Sequence, residues 1–223
     1  MEKHFTIAID GPAGCGKSTV AREISKRLGI IYLDTGSMYR AVAYTALKSN
    51  IDIKSENDGL LNLLKSMTME ITYTEGNPNV IVNGENVTPY LRSEEVSMGA
   101  STVAKLAAVR KRLVELQQEI AKSQSVVMDG RDIGTKVIPE TKNKFFLTAT
   151  VEERAKRRFL DVKETGVTIE EVKADIIKRD ENDTKRAESP LVKAEDAFEI
   201  DTSDLTALEV TEKILERVEK DVL

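Results

Sequence analysis

Five short, largely apolar runs recur along the chain, at residues 5–9, 30–33, 125–128, 144–149 and 197–200. They are too short for helices, and their apolar residues do not alternate strictly with polar ones, which predicts strands buried on both faces. Between them apolar residues recur at helical spacing. Val20, Ala21, Ile24 and Leu28 mark one helix, with Gly29 as its left-handed stop. Val42, Ala43, Ala46 and Leu47 mark the next, with Ser37 as candidate N-cap, and residues 57–66 a short third. Residues 92–122 read as helix broken near 106–108. Residues 151–182 read as charged helix interrupted at Thr165-Gly166, followed by a polar loop over 183–190. Leu208, Leu215, Val218 and Val222 mark one face of a final helix. Strands alternating with helices predict an α/β fold: a five-stranded parallel sheet covered on both faces.

The texture changes over residues 67–90. Glu70-Ile71-Thr72-Tyr73 and Val80-Ile81-Val82 alternate at period two, split by Gly76-Asn77-Pro78-Asn79 and by Asn83-Gly84. These are hairpin signals and predict a small antiparallel β insertion. The expected organisation is one domain over 1–223, with a core of 1–66, 91–150 and 191–223, the insertion at 67–90, and 151–190 as a separate helical region.

Composition narrows the function. Apolar residues are 40% of the 223, enough for a substantial core, and a net charge of −5 argues against a nucleic-acid partner. The single cysteine, Cys15, allows no internal disulfide, which fits a reducing cytoplasm. The first apolar run is too short for a secretory signal and carries Asp10, and no stretch reaches membrane-spanning length. With one histidine, His4, and no C-x-x-C or H-E-x-x-H, a zinc site is not expected.

The chemistry centres on Gly11-Pro12-Ala13-Gly14-Cys15-Gly16-Lys17-Ser18-Thr19, a G-x-x-x-x-G-K-S phosphate-binding loop. It lies between a predicted strand and a predicted helix, as its mechanism requires. Its glycines let backbone N–H groups turn inward onto phosphate oxygens, and the helix N-terminus adds partial positive charge. Lys17 is expected to face solvent and reach the outer phosphates of a nucleotide triphosphate, and Ser18 to ligate Mg²⁺. Cys15 reads as the filler of a variable position. Asp129 closes the third core strand, where a carboxylate suits the second Mg²⁺ contact. Arg131 and Asp132 follow at the sheet's carboxyl edge, where such folds bind ligands.

At the end of the second strand, Thr35 and Arg40 are candidates for a second anion, while Tyr39 reads equally as packing or as function. Ser101 and Arg110, taken alone, are ordinary helix-surface residues. Arg154, Arg157 and Arg158 share a helix face, open to two readings. One is a solvated face paired with Glu152, Glu153 and Asp161. The other is a lid whose guanidinium groups close over phosphates, with Arg179, Asp183 and Arg186 across the polar loop; the phosphate loop favours this one. No His or Glu stands out as a general base. A phosphate acceptor needs none, being an oxyanion near neutral pH.

The runs 7–19, Leu33-Asp34-Thr35-Gly36-Ser37-Met38-Tyr39-Arg40 and Met128-Asp129-Gly130-Arg131-Asp132-Ile133-Gly134-Thr135 resemble the bacterial cytidylate kinases, as does Arg179-Asp180 through Asp183, Arg186 and Pro190-Leu191. The resemblance spans essentially the whole chain, in order, and extends to the β insertion. It implies a P-loop kinase fold with a helical lid, and transfer of the γ-phosphoryl of ATP to CMP or dCMP with Mg²⁺. It further implies that Thr35, Arg40 and Arg131 bind the CMP phosphate, that Ser101, Arg110 and Asp132 read cytosine, and that Asp183 and Arg186 lie near the ribose. Arg154, Arg158, Arg179 and Arg186 are the implied lid arginines, with Arg154 binding ATP and Lys17, Arg131, Arg158, Arg179 and Arg186 the implied catalytic residues. A monomer acting on small molecules alone is expected. The alternatives are a P-loop kinase for another nucleotide or a small alcohol, and a GTP-binding switch. The switch would carry N-K-x-D after a strand, whereas Asn143-Lys144-Phe145-Phe146 has only its first half, ahead of one.

Overall fold

The computed structural model describes residues 4–74, 76–162 and 166–218. Strand β1 (Thr6–Asp10) leads through the loop into helix α1 (Lys17–Leu28), which buries Val20, Ala21 and Ile24 and stops at Gly29 with φ 65°. Strand β2 (Ile31–Asp34) runs directly into α2 (Thr35–Lys48). The N-cap of α2 is Asp34 rather than Ser37: its carboxylate accepts from the Ser37 N–H at 3.0 Å. An acidic cap also meets the positive end of the helix dipole, which Ser37 would not. Helix α3 (Asp58–Ser66) is capped by Asn57 and buries Leu60 and Leu64.

Strands β3 (Met69–Thr74), β4 (Asn77–Val82) and β5 (Glu85–Asn86) form the antiparallel insertion. Its first turn is tighter than the sequence suggests, because Asn77, Pro78 and Asn79 already pair with Thr74, Tyr73 and Thr72. Strand β5 reaches only Ile81 and Val82, so Pro78 lies where β4 has a single neighbour, a place that tolerates a residue without an N–H. Asn83 (φ 50°) and Gly84 (φ 81°) make the second turn, both left-handed as a two-residue hairpin requires.

The predicted helical stretch 92–122 is two helices, α4 (Glu94–Val103) and α5 (Ala107–Ser123). Strand β6 (Val126–Gly130) ends in a π-helical turn (Ile133–Val137) before β7 (Asn143–Thr148). Helices α6 (Val151–Val162) and α7 (Ile169–Lys185) follow. The polar loop predicted from 183 begins only at Arg186, since α7 continues through Asp183. Of the predicted interruption, Gly166 has φ 82° and Thr165 lies outside the described residues, as does the Asp161 side chain. Strand β8 (Phe198–Asp201) and α8 (Ala207–Leu215) close the chain. Helix α8 buries Val210, Thr211 and Ile214, whereas Leu208, expected on the buried face, is 54% exposed. Val222 lies outside the described residues.

These elements divide into two compact units, one of the described residues up to Tyr32 and from Ala121 onward, the other Leu33–Ile120. The five-stranded sheet has the order β2-β6-β1-β7-β8, and β1 pairs in parallel with β6 and β7, as β7 does with β8. Ile7, Ile9, Val20, Ile24, Val127, Leu147 and Ile214 fill the core of the first unit. The register sets Ile9 beside Asp129 and Asp10 beside Gly130, so the loop after β1 and the segment after β6 leave the same edge. In the second unit α2 packs on α4. A Cβ at Gly99 of α4 would lie 3.1 Å from the Ala43 methyl and 3.2 Å from Ile53, the close approach that small residues permit.

Candidate active site

In the first unit the phosphate loop is held by its backbone conformation. Gly11, Gly14 and Gly16 have φ of 148°, 79° and 91°, values that side chains rarely tolerate. Gly16 caps α1 and accepts from the Val20 N–H at 3.1 Å. Thr202, just beyond β8, donates its hydroxyl to the Cys15 carbonyl at 3.1 Å and accepts from Arg157 Nη1 at 3.0 Å, tying the loop to α6. Cys15 is buried and donates its thiol to the Pro12 carbonyl. Pro12, Ala13 and Gly14 form the outer turn of the loop, and Thr19 is exposed.

Lys17 does not face solvent. It is 6% exposed and folds back to donate from Nζ to the Pro12 carbonyl at 2.6 Å, with the Cys15 sulfur at 3.6 Å. Burial pushes its pKa down, the nearby Arg131 charge adds to this, and Cys15 and Asp129 oppose it. The loop thus holds a buried cation whose direct partners are a carbonyl oxygen and a sulfur.

Ser18 donates its hydroxyl to Asp129 Oδ2 at 2.8 Å, and Tyr32 donates to Asp129 Oδ1 at 3.0 Å. The two oxygens expected to hold Mg²⁺ are therefore together. A hydroxyl and a carboxylate are hard donors, and Mg²⁺ commonly takes one or two protein ligands and fills its octahedron with water and phosphate, so the pair fits. Among the described residues no cluster of three acidic, His or Cys side chains offers a fuller cage.

Arg131 donates from Nε to Asp183 Oδ2 at 2.6 Å, linking the edge of β6 to α7. Burial works against both charges, yet the pair prevails: Arg131 is pushed above its usual pKa and Asp183 is held below its own, with Arg186 and Arg179 contributing. Asp132 is 5% exposed, with Arg186 Nη2 3.6 Å from its Oδ1 and Arg186 Nη1 4.0 Å from Asp183. Arg131, Asp132, Asp183 and Arg186 thus form one charged cluster, with Asp132 buried and the other three half-buried.

The arginine face of α6 is not simply solvated. Arg154 is 4% exposed and donates to the Ala149 and Ala13 carbonyls and to Asp180 Oδ2, the last at 2.7 Å, so it joins α6, α7 and the loop. Arg157 binds Glu153 and the Thr202 region. Arg158 is exposed, and Arg179 is half-buried on α7.

In the second unit Thr35 is buried at the start of α2. Arg40 donates from Nη2 to Asp34 at 2.7 Å, while its buried Nε has no hydrogen-bond partner among the described residues. A donor left this way is costly unless a ligand completes it. A Cβ at Gly36 would lie 3.2 Å from Arg40 Nη1, so this glycine leaves room for the pair. The Arg110 guanidinium lies 5.6 Å from the Tyr39 ring centroid, and Arg110 is 4% exposed. Tyr39 is therefore a platform for Arg110. Ser101 lies on α4, its hydroxyl 3.5 Å from the Ser97 carbonyl.

The sequence profile of the cytidylate kinase family matches residues 7–220, across both units and every motif above. The chain belongs to the cytidylate kinase family. A cytidylate kinase of Limosilactobacillus fermentum is 49% identical over 99% of this chain and 98% of its own length. One of Caldicellulosiruptor bescii is 49% identical over 96% and 95%. The crystal structure of an uncharacterized protein from Eubacterium ventriosum shares the fold, with a TM-score of 0.53 at 14% identity, covering 97% of this chain and 99% of that one. Membership of the cytidylate kinase family makes this chain a nucleotide-directed phosphotransferase. No described helix is long and apolar enough to cross a membrane.

Three contributors to this kinase have no role that the sequence assigns. Thr202 sits in an ordinary polar stretch, and Asp180, though part of the family-like run, gains meaning only from Arg154, which it touches. Asp10 carried a signal, since it ends a buried strand as Asp129 does.

Proposed function

We propose that this chain transfers the γ-phosphoryl of ATP in line to the phosphate of CMP or dCMP, acting as a cytoplasmic monomer on small molecules. An acceptor phosphate oxygen forms the new bond to the γ-phosphorus. The bond to the β–γ bridging oxygen breaks, and ADP leaves with its electron pair. The Ser18–Asp129 contact, with Lys17 buried in the same loop, is the observation that carries this reading. Ser18 and Asp129 would hold Mg²⁺, which when bound neutralises phosphate charge.

Residues 11–19 take the phosphates of ATP through the loop N–H groups and Lys17, and Arg154 supports the loop. Arg131, Thr35 and Arg40 bind the CMP phosphate, and no general base is needed. Arg158, Arg179 and Arg186 stabilise the transferring group. Asp183 and Arg186 serve the ribose; Asp132, Ser101 and Arg110 serve the base, and Tyr39 holds Arg110.

Cytosine offers an N4 amino donor to Asp132, where uracil presents a carbonyl oxygen. In a dry site two acceptors would then face each other. Asp132→Asn is expected to lower the CMP/UMP ratio of kcat/KM by about tenfold, because the amide can also donate. An unchanged ratio removes Asp132 from base selection.

The lid reading rests on Arg154 and Arg158 of α6 together with Arg179 of α7 and Arg186 at its C-cap. With CMP and a non-hydrolysable ATP analogue bound, hydrogen-exchange protection is expected to rise over both 11–19 and 179–190. Protection confined to 11–19 would mean that these arginines do not close on the nucleotide.

A further inference from the structure

Among the described residues the roles above leave one buried carboxylate unused. Asp10 ends β1 and is 5% exposed. Its Oδ1 accepts from the Ile133 N–H and its Oδ2 from the Gly134 N–H, each at 2.8 Å. Both donors belong to the π-helical turn that follows Asp132, and the Asp132 carbonyl accepts from Lys136 and Val137 in the same turn. The turn lies close against Asp10: a Cβ at Gly134 would be 3.4 Å from Oδ2, with the Lys144 stem at 3.3 Å on its other side. Burying a carboxylate at a strand end is costly, and here burial pushes its pKa up to about 6 despite the two N–H groups. The like charge of Asp132 adds to that cost, and Lys17 eases it. A group expensive to the fold, with each oxygen committed to the backbone beside Asp132, is explained by what it holds in place.

We infer that Asp10 is the positioning residue for base selection, fixing through the Ile133 and Gly134 N–H groups the segment that presents Arg131 and Asp132. The inference rests on the reading of Asp132 as the group that meets cytosine. An asparagine is nearly isosteric but has one acceptor oxygen. Its NH₂ would oppose one of the two N–H donors, and the turn would lose a bond and shift.

The test measures steady-state kinetics of Asp10→Asn with CMP and with UMP at saturating ATP, beside Asp132→Asn. The expected result is a CMP/UMP ratio of kcat/KM lowered by about tenfold, arising mainly in the KM for CMP. A general defect of loop or fold would lower both acceptors alike, and that outcome, or no change, overturns the inference. If Asp132→Asn moves the ratio and Asp10→Asn does not, base reading by Asp132 stands and the role of Asp10 falls. If neither moves it, both fall. A measurement on the unaltered protein keeps the question open to refutation even if the variant does not fold. The amide protons of Ile133 and Gly134 should exchange as slowly as those of β6 in ¹⁵N-resolved hydrogen exchange, and loop-like exchange would overturn the inference.

Discussion

Lys17→Ala is expected to lower kcat by about 10³-fold or more while leaving the fold intact. The reason is the unusual state of this lysine. It is buried, it donates to the neutral Pro12 carbonyl, and the Arg131 charge disfavours it further. A cation so placed contributes little to the stability of the nucleotide-free protein, since burial opposes its charged form. Its counter-charge would come with the phosphates, so its loss falls on the bound and transition states. A melting temperature within a few degrees of the parent, together with the collapse in kcat, is the expected pair of results in a thermal melt and a coupled ADP assay. Near-normal kcat would show that the loop is not where transfer occurs.

Gly11→Ala is expected to act on the fold itself. The new Cβ would lie 2.1 Å from the Leu147 carbonyl oxygen, a backbone atom of β7, and Gly11 has φ 148°. This neighbour cannot yield cheaply, because Leu147 is fully buried in the central sheet. A penalty of about 4 kcal/mol puts the change in the severe class and lowers the melting temperature by on the order of 10 °C. Gly29→Ala makes a useful contrast. It shares a left-handed φ but has nothing within 4 Å of its Cβ, so it should cost only about 1 kcal/mol. Equal melting temperatures for the two variants would contradict the packing described around the loop.

The strands, the helix after the loop and the antiparallel insertion were legible because burial imposes its period directly on the sequence. The loop glycines, Lys17 and Ser18 were legible because their chemistry fixes their spacing, and Asp129 because it ends a buried strand. What escaped depended on neighbours distant in sequence. Asp34 displaced Ser37 as the cap of α2 because the strand runs into the helix without a linker. Leu208 reads as apolar and inward, yet Thr211, polar in sequence, takes a buried place by donating its hydroxyl to the Ala207 carbonyl. The inward fold of Lys17 depends on a carbonyl five residues earlier, and no periodicity reports it. The arginines of α6 were ambiguous between a solvated face and a lid, because Asp180 and Thr202, which engage Arg154 and Arg157, come from other elements.

A panel of nucleoside monophosphates decides whether the acceptor is a cytidine monophosphate. With ATP and Mg²⁺, ADP formation is followed for CMP, dCMP, UMP, AMP and GMP in turn. The kcat/KM for CMP and dCMP is expected to exceed that for UMP, and to exceed that for either purine nucleotide by about 100-fold or more. A purine monophosphate as the preferred acceptor, or ADP formation independent of any acceptor, would rule out a cytidine monophosphate kinase.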